Sequence, residues 1–196
     1  MWNYFDQIMN SKFELLKELA AITHGKINIA GGNVFQHEIY LAIKESGNHN
    51  EVYEEYSIPL VDKGKRKHHK VDILTVDDDI VTATNSKGKS FNSTDSEDAK
   101  LNDVKHFIRS IQKQFPNKKV IYQFFKDEFA SGKIALYDYF VENGVPVYNT
   151  ERYLIDNYGI DFDALEQRRQ KECVRRCEEA LNNAGYNIEE LYETRS

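Results

Sequence analysis

With 196 residues, 40% of them hydrophobic, the chain has room for one domain plus a small appendage and needs no disulfide staples. No apolar run approaches the ~20 residues of a membrane span. Residues 1–19 lack a basic stretch followed by an apolar core, so cytoplasmic residence without a secretory signal is expected. The net charge of −6 argues against a generally basic nucleic-acid binder, and Cys173 and Cys177 lie one helical turn apart rather than in a disulfide framework.

Residues 3–22 carry Phe5, Ile8, Met9, Phe13, Leu16 and Leu19 at helical spacing. HGKINIAGGN reads as a break, and Asn33 as the cap of a second helix running to about Ser46. EVYEEYSIPL, KVDILTV and IVTATNSK follow as strands, the last two joined by a DDD turn. Ser93, Thr94 and Asp95 offer caps for a long helix whose apolar face is Leu101, Val104, Ile108, Ile111 and Phe115. KVIYQFF suits a buried strand, SGKIALYDYFVENG a helix ending on Gly144, and VPVYN a last strand; from Thr150 the chain is helical and charged. Two strand–helix–strand steps imply parallel pairing, while the first three strands can form an antiparallel meander. The expected fold is an α/β sandwich around a mixed central sheet, over residues 1–150, with a helical extension at 151–196.

Two places carry candidate chemistry. On the second helix, Glu38 falls among Val34, Phe35, Ile39, Leu41 and Ala42, where a carboxylate must meet a cation, a metal or a donor, or else reach solvent by a rotated helix. Strict alternation places Asp72 with Leu74 and Val76, opposite Val71 and Ile73. The hairpin then brings Asp72 beside Asn85 and Lys87 at one sheet edge. Asp72 can hold a hard divalent cation and Lys87 can orient a water; the same pair also reads as a cross-strand ion pair.

A helix glutamate, a strand aspartate after a β-meander, a strand ending in polar-x-Lys, then a long helix and a β-α-β return resembles the PD-(D/E)XK restriction-endonuclease-like nucleases over roughly 33–148. That resemblance implies a restriction-endonuclease-like α/β/α sandwich. Glu38 matches its first-helix carboxylate, Asp72 its metal-binding aspartate and Lys87 its final lysine. Asn85 stands where the family carries an acid, and Glu97, in the following helix, is the choice to restore the charge, ahead of Asp98. The implied protein is a Mg²⁺-dependent (Mn²⁺-tolerant) type II restriction endonuclease acting on double-stranded DNA, expected to be a homodimer. The alternatives are a repair or recombination nuclease, or a non-catalytic DNA-binding protein of the same fold.

DKGKRKHHK, just ahead of Asp72, reads as a basic loop whose Lys63, Lys65, Arg66, Lys67 and Lys70 can contact phosphates. After Lys87, Lys89, Ser90 and Asn92 can do the same or simply form a capping loop. His68 and His69 point opposite ways on a strand and make a poor metal pair. RRQKECVRRCEE mixes both charges and reads as a salt-bridged surface or dimer helix, with DNA contact second. The acidic average therefore coexists with local basic stretches.

Overall fold

The computed structural model describes residues 26–62, 65–87, 96–126 and 134–193. The helix expected at 3–22 lies outside the described residues, as do Lys63, Lys89, Ser90, Asn92 and the caps proposed at 93–95. The chain order is α1 (Lys26–Glu45), β1 (Glu51–Asp62), β2 (Lys65–Val76), β3 (Ile80–Lys87), α2 (Glu97–Gln114), β4 (Lys119–Lys126) and α3 (Ile134–Glu142). It continues with β5 (Val147–Asn149), α4 (Thr150–Tyr158), α5 (Phe162–Asn183) and α6 (Ile188–Glu193).

Helix α1 corrects the expected break, since it runs through KINIAGGN and leaves Asn33 in its interior. Each glycine costs a helix about 1 kcal/mol against alanine but blocks nothing sterically, and no proline interrupts the segment. Helix α2 is capped by Ser96, whose hydroxyl accepts from the Ala99 N–H at 3.2 Å. Helix α3 ends on Gly144 at φ 76°, where the Val145 N–H closes back on the Phe140 carbonyl at 2.8 Å.

The five strands lie in chain order, β1-β2-β3-β4-β5, with β1 to β3 antiparallel and β3 to β5 parallel. The mixed sheet expected from the element order is what the chain forms. Helices α2 and α3 make the two parallel crossovers. Their Leu101, Val104, Ile111, Leu136, Tyr137 and Phe140 join Leu74, Val76, Val81, Ala83, Tyr122 and Phe124 in one core. Phe124 and Phe140 stack 5.0 Å apart within it. On the other sheet face, Phe125 meets Tyr153 of α4 at 4.8 Å. His49 joins the turn before β1 to Asp77 of the β2–β3 turn at 2.8 Å and to Tyr158 of α4 at 2.8 Å. That pair of bonds pins one end of the layered structure.

By packing, residues 40–160 form one compact unit that holds the whole sheet. The second unit comprises residues 1–39 and 161–196. Its described part buries Val34, Phe35 and Ile39 of α1 and Leu165, Cys173, Val174, Cys177 and Leu181 of α5. Packing thus draws its boundary at a different place from helix content, assigning α4 to the sheet and the first part of α1 with α5. Among the described residues no helix is long and apolar enough to cross a membrane.

Candidate active site

Asp72 sits where β2 leaves β3. The paired register between these strands runs from Val76↔Val81 to Ile73↔Thr84 and stops there. Beyond it, side chains take over from the backbone ladder. The Asp72 N–H donates to Asn85 Oδ1 at 3.2 Å, and the Ser86 N–H donates to Asp72 Oδ2 at 2.7 Å. On the far side of β2, the rung that would face Asp72 belongs to Glu55, which is absent from the paired register and holds a positive φ of 49°. Few non-glycine residues adopt that conformation, and its presence here marks a local distortion.

The distortion overturns the expected alternation. Val71 shares the core cluster of Leu74 and Val76, and His69 lies flat on Phe107 of α2 with ring centroids 3.6 Å apart. Odd-numbered residues before Asp72 therefore share a face with even-numbered residues after it. A uniform period of two placed Val71 opposite, because sequence pattern carries no sign of a face switch at one residue.

Asn85 is 6% exposed and Tyr122 2%. The Asn85 amide nitrogen donates to the Tyr122 hydroxyl at 2.7 Å, and that hydroxyl lies 3.2 Å from His69 Nε2. Burial pushes the Tyr122 phenol well above its ordinary range, with the Asp72 and Asp103 charges adding to the effect. Sequence reasoning missed Tyr122 and His69. Their signal was a phenol inside the apolar run KVIYQFF, since a buried tyrosine hydroxyl needs a partner. Gln123, in the same strand, donates to Thr84 Oγ1 at 3.0 Å and serves the sheet.

Lys87 ends β3 in parallel register with Lys126, so two lysines occupy one rung at the carboxyl ends of neighbouring strands. The Lys126 ammonium rests 5.7 Å from the Tyr137 ring centre. Glu97 and Asp98 occupy the exposed first turn of α2. Asp98 accepts a hydrogen bond from Tyr139 of α3, which gives it a structural partner and raises the Tyr139 phenol pKa.

Glu38 lies in the other compact unit. It is 6% exposed, so the route to solvent by a rotated helix is not taken. Its cation is Arg168 of α5, with Nε 3.3 Å from Oε2, in a geometry that leaves Oε2 without a hydrogen bond. The neighbouring Arg169 rests over the Phe35 ring at 5.1 Å. The rest of the basic helix follows the salt-bridged reading. Arg175 and Arg176 both hold Glu172, and Arg175 also reaches Glu179.

The basic run before Asp72 is strand rather than loop, which corrects the expectation. Lys65, Arg66 and Lys67 pair in register with Asp62, Val61 and Leu60 of β1. Lys70 forms an exposed 2.6 Å ion pair with Glu55. His68 bonds Ser57 at 3.2 Å while His69 takes the opposite, core-facing side.

No protein-family model matches the sequence, and no curated protein matches it. Among solved structures, the small subunit (R.BspD6I2) of the heterodimeric restriction endonuclease R.BspD6I is similar, with a TM-score of 0.43 and 15% identity over 89% of this chain and 98% of that one. At that overlap the likeness carries no weight for activity or substrate. The α/β architecture stands on the sheet order and pairing.

The donor chemistry at Asp72 fits a hard divalent cation. Mg²⁺ binds through one or two carboxylates and fills its remaining positions with water and substrate phosphate. Asp72 supplies such a carboxylate. Asn85 fits less well, because its one amide oxygen already accepts the Asp72 N–H. Among the described residues no group of three or more His, Cys, Asp or Glu side chains is arranged to hold a metal.

Proposed function

We propose that the chain is a Mg²⁺-dependent, sequence-specific endodeoxyribonuclease of the type II restriction class, hydrolysing phosphodiester bonds of double-stranded DNA. One observation carries the reading. After an antiparallel meander, Asp72 and the Asn85–Lys87 end of β3 are joined by reciprocal hydrogen bonds at the point where the two strands part. A carboxylate where two inner strands part, with Lys87 the last residue of the strand that meets it, supports a reading as phosphodiester hydrolysis.

In this reading Asp72 holds the cation. Bound there, Mg²⁺ would supply positive charge against the phosphate oxygens as negative charge builds on them. Lys87 positions the attacking water and lowers the cost of its losing a proton. Lys126, on the same rung, adds positive charge beside the phosphate. Lys65, Arg66, Lys67 and Lys70 extend a basic strand from this edge and hold the DNA backbone without reading its sequence.

A second reading is a DNA-binding protein that keeps the fold without catalysis. The neutral Asn85 favours it, since both ends of its amide are engaged within the protein. Plasmid cleavage separates the two. With Mg²⁺ the wild-type chain yields discrete fragments, and Asp72→Ala and Lys87→Ala lose them, by about a hundred-fold or more in rate. DNA binding without cleavage in Mg²⁺ or Mn²⁺ would establish the second reading instead.

A further inference from the structure

We infer that Asn85, Tyr122 and His69 form a hydrogen-bond relay, buried at Asn85 and Tyr122 and partly buried at His69, that positions Asp72, and that Asn85 is the clamp of this site rather than a weakened metal ligand. The inference rests on the proposed role of Asp72. Its chemistry begins from one group whose polarity is beyond choice. A backbone N–H can only donate, so the Asn85 oxygen must face Asp72, and the amide orientation follows. The Asn85 nitrogen then faces Tyr122 and donates to it at 2.7 Å. The hydroxyl then has its own proton left to place, and His69 Nε2, 3.2 Å away, is positioned to accept it. The relay therefore calls for the His69 tautomer with its ring proton on Nδ1. Phe107, stacked on the imidazole with ring planes 1° apart, holds it flat against α2.

The relay leaves β2 at Asp72, crosses β3 and β4, and returns to β2 at His69. It does so where the β2–β3 ladder has ended, so the Asn85 side chain takes the Asp72 N–H that a strand carbonyl would otherwise accept. Asp72 answers by holding the Ser86 N–H. The exchange lets the strands diverge while fixing the Asp72 backbone and carboxylate together. An ionised acid at 85 cannot donate to Tyr122. It would also place a negative charge at a buried position beside the half-buried Asp72, with the phenol forced to reverse its bond. That is a physical reason for an amide here.

Three measurements test the relay. In ¹⁵N-labelled wild-type protein at neutral pH, His69 should show a protonated Nδ1 and an unprotonated Nε2, with His69→Gln serving to assign the signals. A protonated Nε2 would overturn the inference whether or not the protein cuts DNA. In hydrogen exchange, Tyr122→Phe should speed the Asp72 amide by at least ten-fold while the α5 amides stay unchanged; an unaltered Asp72 rate would contradict it. In plasmid cleavage, Tyr122→Phe and His69→Leu should lower kcat by roughly ten- to a hundred-fold at near-constant KM. His69→Gln, which keeps an acceptor for the phenol, should recover most of that loss. Asn85→Asp should lower Mg²⁺-dependent activity, and a gain in activity or Mg²⁺ affinity would return Asn85 to the role of ligand. If the wild-type chain cuts nothing, the nuclease reading fails, and the first two measurements still decide the relay.

Discussion

Glu38 and Asn85 are polar side chains among apolar ones, and packing resolves each differently. At Glu38 the helical pattern demanded a partner without naming it, because α1 and α5 are more than a hundred residues apart in the chain. Arg168 is that partner, half exposed while Glu38 is nearly closed off. Removing the cation strands a buried charge, so Arg168→Met should lower stability by about 2 kcal/mol, discounted for the solvent around the guanidinium. Glu38→Gln in the same chain should restore most of it. Chemical denaturation of the two variants checks this, and an Arg168→Met chain as stable as wild type would show that the pair contributes nothing. At Asn85, the departure from an acid was visible in the sequence, but its two partners were not.

Elements follow their local patterns where the pattern is long. The apolar face of α2, the meander and both β-α-β steps were all legible, since hydrophobic period and turn residues act over neighbouring positions. Patterns misled where backbone pairing decided. The basic run looked like a loop from its charge, yet a complementary strand was available across the hairpin. In α5 the charges were legible because helical neighbours lie three and four residues apart. Arg175 and Arg176 hold the Glu172 carboxyl down to about 2, from an ordinary value near 4.5. A lowered carboxylate pKa stabilises the folded chain fully above the ordinary value, and the gain vanishes as pH falls through the shifted one. The wild-type advantage in melting temperature over Glu172→Gln should therefore be complete above pH 4.5 and disappear toward pH 2. Equal melting temperatures for the two proteins across that range would exclude the effect.

Among the described residues the chain offers one candidate site on a mixed sheet. A single site cuts one strand, so cleavage of both strands in one binding event calls for two chains related by a two-fold axis. Sedimentation should give a species of twice 22.9 kDa at cleaving concentrations. A 22.9 kDa species that only nicks plasmid would leave the monomer as the working form.

The amino-acid order was sufficient for the order of the described strands and helices, the mixed sheet and the meeting of Asp72 with the end of β3 at Asn85 and Ser86, because periodicity, turns and hairpin geometry are local. The face switch at Asp72, the Glu38–Arg168 pair and the Asn85–Tyr122–His69 relay depended on packing. Each joins groups distant along the chain, and a buried donor or charge leaves no trace in sequence of which remote atom will satisfy it.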